Sequence, residues 1–392
     1  MENQFKPFHE TYKAVMYSMV FAMVYPNPAT DKWRLLAIPL LLLTMLPMSV
    51  IALLDSLRCW NEANYLEVLR HIAMFGPFLC GILKMCFMYH RRVEAKAIID
   101  TINEDYASYN YFPENYQTFI RAYIENTKIY HRVWYFCVLL ILSAFVMTTT
   151  LYNTYEYMFR SEPKRHMIYD IRLPNKAAGV ELETPYFEIL YMYMLYVALI
   201  FYLNFTGYDC FMITAVNHAC LRIELFCKHL DDAMEFKGEE LRRRMRTAIS
   251  EQCETFKLID ACQSTFNGNL GMVYLAVTTE LCINLFLMTE GYEFDYKFTA
   301  FSIGTILHVF VPCRIAEKMK NVCEESSTMI YCCGWEEMYD LSVRRYIPFM
   351  LARAQYPATL KAFGILTYDM MLFASTVKTA YSLYTILKRQ QT

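Results

Sequence analysis

This sequence predicts an all-α membrane protein with seven spanning helices, the N-terminus cytoplasmic and the C-terminus extracellular. Three observations carry that prediction. Apolar residues make up 56% of the 392 positions and aromatic residues 16%, more than an ordinary soluble domain carries. Several stretches reach or approach the roughly 20 apolar residues that a bilayer-crossing helix needs. Finally, Lys and Arg are concentrated in alternate connecting segments, as cytoplasmic loops require.

The elements follow in chain order. Ala14 to Val24 is apolar but too short to cross, and no small-residue cleavage site follows it, so it reads as a helix on or just inside the membrane surface rather than a signal peptide. Three spans carry no charge at all: Leu35 to Leu54 ("LLAIPLLLLTMLPMSVIALL"), Val133 to Tyr152 ("VWYFCVLLILSAFVMTTTLY") and Ile189 to Tyr208 ("ILYMYMLYVALIFYLNFTGY"). Four more are less uniform. His71 to Tyr89 contains Lys84, Phe266 to Met288 contains Glu280, Phe298 to Cys313 is short, and Ala362 to Leu387 contains Asp369 and Lys378. Between the fourth and fifth spans, residues 214–262 mix apolar and charged residues at helical spacing around Gly238, which predicts a pair of long helices continuing beyond the membrane.

Orientation comes from counting cations. The N-terminal segment and the loops at His90 to Arg132, Thr214 to Cys262 and Arg314 to Lys361 together hold 25 Lys and Arg. The opposite side has far fewer, and the positive-rich side is cytoplasmic. The predicted organisation is a cytoplasmic segment with a short interfacial helix (1–34), a six-helix bundle with helical cytoplasmic loops (35–313), a cytoplasmic anchor (314–361), a last spanning helix (362–388) and an extracellular tail (389–392).

Several function classes are disfavoured. Net charge is −2 with no long basic block, so no nucleic-acid partner is expected. There is no G-x-S-x-G, no glycine-rich phosphate loop and no His/Cys cluster at zinc spacing, so no enzyme activity, cofactor or metal is predicted. Fourteen cysteines lie mostly in helices or on the inner side, where thiols stay reduced. Asn204-Phe205-Thr206 fits a glycosylation pattern but falls inside a span. A G-protein-coupled receptor would have the opposite orientation; the third span lacks a D/E-R-Y signature and the last lacks N-P-x-x-Y. No inverted repeat or broken helix pair suggests a transporter.

The C-terminal third carries three distinctive runs: "CEESSTMIYCCGWEEM" (Cys323 to Met338), "RRYIPFMLARAQYPATLKAFG" (Arg344 to Gly364) and "TVKTAYSLYTILK" (Thr376 to Lys388). With the length and the seven spans, these runs make the chain resemble an insect odorant receptor, of the odorant-specific type rather than the co-receptor, which has a much longer inner loop. Ala380 departs from the Ser that many members have there. The resemblance implies a non-selective cation channel gated by a small volatile ligand and built as a heterotetramer with the shared co-receptor. It further implies a plasma-membrane location in the dendrite or cilium of an olfactory neuron, a pore lined by the last helix and no G-protein partner. The related gustatory receptors remain an open alternative.

The resemblance places an odorant pocket in the outer half of the bundle. Residues there at helical spacing are Met74, Phe75 and Phe78; Ser143, Met147 and Thr150; Tyr191 and Met194; and Phe301. In the last span Ser375, Lys378, Ser382 and Thr385 form one polar stripe. A lysine facing a narrow cation path would repel ions by about 4 kcal/mol at 4 Å and an effective dielectric of 20. A gapless match to the end of the co-receptor instead puts Leu383 and Leu387 at the gate. Glu280 is the acid expected at the depth of Lys378, so an intramembrane Glu280 to Lys378 pair is predicted, with pore exposure or the outer interface as alternatives for the lysine.

Overall fold

The structure is a computed structural model and describes residues 4–161, 164–169, 171–172, 183–290 and 296–391, with the side chains of 290, 387, 390 and 391 aside. It is all-α apart from one short hairpin. Two small helices, α1 (Phe8–Thr11) and α2 (Lys13–Phe21), precede α3 (Asp31–Asn61), α4 (Tyr65–His90), α5 (Arg92–Tyr109), α6 (Glu114–Phe159), α7 (Tyr186–Met234), α8 (Gly238–Glu290) and α9 (Tyr296–Tyr331). Two further short helices, α10 (Leu341–Arg344) and α11 (Ile347–Ala354), lead to strands β1 (Lys361–Ala362) and β2 (Leu366–Thr367) and then to α12 (Met370–Gln391).

Among the described residues six helices are long and apolar enough to cross a membrane, those built on α3, α4, α6, α7, α8 and α9. The last, α12, has 22 residues and therefore the length, but its hydroxyl residues, Lys378, Lys388 and Arg389 make it less apolar than the others. α3 turns a continuous row of large side chains outward, including Leu36, Leu40, Leu43, Leu46, Val50 and Leu53. Such a row suits a lipid environment. α8 is the opposite case: 67% of its apolar stretch is buried, because α4, α7, α9 and α12 all pack around it.

The helical extensions predicted over 214–262 are present. α7, at 49 residues, and α8, at 53, run past any bilayer-length segment and meet at the Gly238 break, where φ is +65°, a conformation that favours glycine. Below the apolar stretches, polar side chains join the helices: His218 Nε2 to Asp105 at 2.7 Å, His229 Nδ1 to Glu251 at 2.8 Å and Lys318 Nζ to Asn217 at 3.0 Å. The arginine run is neutralised locally, with Arg243 and Arg244 on Glu240, Arg246 on Glu239 and Arg242 on Asp340. Hydrogen bonds from Ser342 and Arg242 hold the Asp340 carboxyl down at about 2, so it stays charged at physiological pH.

The helix expected on or just inside the membrane surface is α2, which docks on α7: Val15, Met19 and Ala22 are buried, and a Cβ on Gly207 would lie 2.8 Å from the Met19 backbone nitrogen. Two expected bounds differ. The boundary expected at 313 falls inside α9, which continues without a break to Tyr331. The last helix starts at Met370 rather than 362, because Gly364, at φ +73°, turns a hairpin there. That hairpin is tied to α8 through Lys361 N and Gln263 Oε1 at 2.7 Å, Gly364 N and Asn267 Oδ1 at 2.8 Å, and Tyr368 OH and the Leu270 carbonyl at 2.7 Å. Asp369, read from the sequence as a charge inside the span, accepts from Leu372 N at 2.8 Å and caps the helix.

Candidate functional site

A cavity of about 240 Å³ lies between α3, α4, α6, α7, α8 and α9. Its walls are overwhelmingly apolar and aromatic: α4 gives Met74, Phe75 and Phe78, α6 gives Trp134 and Phe145, α7 gives Met194, Phe201 and Phe205, and α9 gives Phe301. Ring pairs rigidify the wall, with Phe75 5.7 Å from Phe78 and Phe78 5.8 Å from Phe201. A few polar groups interrupt it, among them His71, Tyr169, Glu280, Thr305 and His308. Chemically such a lining suits a small, mainly apolar molecule with one or two polar groups.

The floor is held by a buried charge network. Lys84 Nζ lies 2.8 and 2.9 Å from the two Asp209 carboxylate oxygens and 3.1 Å from His308 Nε2. It also sits 4.0 Å from the centre of the Phe205 ring, and His308 stacks on Trp134. Lys84, noted in the sequence only as a charge within its span, thereby cross-links α4 and α7 and reaches α9. Towards α3, His71 Nε2 faces Asp55 Oδ2 at 3.3 Å, Tyr169 bonds the other ring nitrogen, and the Arg172 amide donates to Asp55 at 2.8 Å. Asp55, Cys59 and His71 bring one ligand atom each within 4.8 Å of one another, a set that could hold a metal ion although no sequence spacing announces it. All fourteen cysteines are free thiols, and Asn204 is buried with its amide donating to the Gly81 carbonyl at 3.2 Å.

Of the pocket residues expected from sequence, Met74, Phe75, Phe78, Met194 and Phe301 line this cavity. Ser143, Met147, Thr150 and Tyr191 do not. Met147 is exposed, Ser143 bonds to the Leu140 carbonyl, and the Thr150 and Tyr191 hydroxyls bond to each other at 3.1 Å. The reason is helical phase: the face of α6 turned to the cavity carries Trp134, Val138, Ile141, Leu142 and Phe145, whereas 143, 147 and 150 share a different face. Trp134 and Phe205 lacked a distinguishing signal, since aromatic residues fill every span.

The Glu280 to Lys378 ion pair does not form. Glu280 is buried in the cavity wall, where among the described residues the Thr305 hydroxyl is its hydrogen-bonding neighbour, at 3.4 Å, while Lys378 is exposed on α12. Matching depth set their height, but α8 turns Glu280 towards Gly76 of α4 and Thr305 of α9. On α12, Thr376 and Ala380 face inward, while Ser375, Lys378, Ser382 and Leu383 are exposed. The Leu387 side chain lies outside the described residues.

A profile of the 7tm odorant receptor family matches residues 64–381. The chain belongs to that family. Odorant receptor 85c of Drosophila melanogaster is 17% identical over 347 residues, covering 84% of each chain. Odorant receptor 2a of the same fly is 29% identical over 101 residues, 24% of this receptor and 25% of its own length. The fold is also that of the insect olfactory receptor OR5 from Machilis hrabei, with a TM-score of 0.72 and 12% identity for its complex with eugenol, covering 97% of this receptor and 98% of that chain. A second structure of OR5 from Machilis hrabei gives 0.71 at 13% identity, covering 97% of each chain. The protein is thus an insect odorant receptor with an all-α membrane fold, and its family is one of receptors rather than enzymes.

Proposed function

We propose that this receptor is the odorant-specific subunit of an odorant-gated, non-selective cation channel that works in the plasma membrane with the shared co-receptor. The observation that carries the reading is the aromatic cavity between the helices of the bundle. About ten heavy atoms fit such a site, and at up to about 1 kcal/mol each they support micromolar binding. OR5, which shares the fold, is described in complex with eugenol, which suits the same use of the bundle here. The charge distribution supports a cytoplasmic N-terminus, opposite to G-protein-coupled receptors.

α12 supports the channel part. A helix of spanning length that leaves Ser375, Lys378 and Ser382 exposed is poorly suited to lipid on that face and suits contact with other subunits or water. In the assembled heterotetramer, Leu383 and Leu387 form the dry constriction, and odorant binding shifts the bundle so that this ring opens. Tyr191, Ser143, Met147 and Thr150 stay outside this pocket proposal. The experiment is expression with and without the co-receptor and current recording over an odorant panel; odorant-evoked cation current only in the paired condition supports the reading, and a response that needs G proteins overturns it. A taste-compound response with no volatile agonist would favour the gustatory-type alternative.

A further inference from the structure

Glu280 has a problem that the protein itself does not solve. Its side chain is buried in the cavity wall, with the residue only 5% exposed, and Oε1 has no hydrogen-bond partner among the described residues. Oε2 is little better served. The Thr305 hydroxyl lies 3.4 Å from it and 3.0 Å from the Phe301 carbonyl. A hydroxyl has one proton, and the shorter contact takes it. No cation among the described residues compensates: Lys84 is committed to Asp209 and His308, and Lys378 stands exposed on α12. One turn further along α8, Asn284 is also buried with both amide atoms unpartnered.

The position of the carboxyl is built, not incidental. Oε1 occupies a notch over Gly76, where any Cβ would fall 2.2 Å from it. α4 thus gives up a side chain so that an acid can sit in an aromatic wall. Buried acceptors are normally paired, and a cavity that holds one unpaired discriminates strongly for a ligand that supplies the missing donor.

We propose that the odorant of this receptor is a hydrogen-bond donor, a small hydroxyl- or amine-bearing molecule whose O–H or N–H is accepted by Glu280, with its apolar body against Phe75, Phe78 and Phe301. This rests on the cavity being the odorant site. Ethers, esters and hydrocarbons of the same shape leave Glu280 unpaired and bind more weakly. The neighbouring rings add attraction for a cationic amine.

The test uses matched series, a primary alcohol and a primary amine against the methyl ether and the alkane of equal length, recorded from the full receptor with its co-receptor. In the unmodified receptor the donors reach half-maximal current at concentrations about tenfold or more below the ether. Glu280→Met removes the acceptor without leaving a charge to bury; the preference falls to within about twofold while the ether response persists, which shows that the receptor still folds and gates. Glu280→Gln keeps an acceptor oxygen and retains part of the preference, so it carries the test if the methionine variant is not expressed. Ethers or esters as potent as alcohols in the unmodified receptor, or an intact donor preference in Glu280→Met, overturn the proposal while leaving the odorant-receptor reading in place. Silence to donors and non-donors alike removes both.

Discussion

Replacing Lys84 by methionine probes the floor of the cavity. Lys84 is fully buried and Asp209 is 3% exposed, and the ammonium makes contacts of 2.8 and 2.9 Å to the carboxylate. Methionine keeps the length of the stem but strands Asp209 in a low-dielectric site. Removing one member of a buried pair typically costs about 3 to 5 kcal/mol, against total stabilities of about 5 to 15 kcal/mol. The folded-to-unfolded ratio therefore falls by a factor of roughly 10² to 4 × 10³. Replacing both partners, Lys84→Met with Asp209→Leu, removes the stranded charge and recovers most of the loss, because apolar side chains of similar volume often match a buried pair. The assay is surface labelling together with thermal unfolding of the solubilised receptor. A single variant as stable as the unmodified receptor, or a double variant no better than the single, refutes the claim that the pair is desolvated and structural. His308 adds an internal check: it is 3.1 Å from the same ammonium, so His308→Leu is expected to cost less than Lys84→Met.

Other outcomes follow from the packing. Gly207→Ala places a methyl 2.8 Å from the backbone of α2; overpacking of this kind costs about 1 to 3 kcal/mol and should be read as faster proteolysis of the N-terminal segment. Ala198→Phe projects a ring into the cavity wall and should abolish responses to the larger agonists while surface expression is kept. Met147→Ala, at a position 60% exposed and outside the cavity, should leave odorant potency within about twofold. Lys378→Met and Glu280→Gln should show additive effects on surface expression, since no ion pair links them; recovery in the double variant would restore the pairing that the structure lacks. Leu383→Ser should raise current in the absence of odorant if that residue contributes to a dewetted gate, and unchanged leak counts against the assignment.

Much of the architecture was legible in the sequence because membranes impose a one-dimensional code. Apolar run length fixes which segments cross, the charge-free stretches around Leu35, Val133 and Ile189 are unambiguous, and Lys and Arg counts fix a predicted orientation. The charged but periodic segment around Gly238 likewise announced helices, not a floppy loop, and those helices exist. The C-terminal runs around Trp335, Tyr356 and Lys378 pointed to the family that the profile match over residues 64–381 establishes. Which side chains meet is a different kind of information. Hydropathy gives the height of Glu280 and Lys378 but not the rotation of α8 and α12 about their axes, and a rotation of one residue turns a side chain by about 100°. For that reason Ser143 and Met147 were expected in a cavity that Ile141 and Phe145 line, and Lys84, seen as a blemish in an apolar span, became the cross-link between α4 and α7. Asp369 was expected inside the last span because composition does not mark where a hairpin tied to Gln263 and Asn267 ends and a helix cap begins. Length and charge are properties of the chain taken in order; rotation, capping and pairing are decided only when helices distant in sequence press against one another.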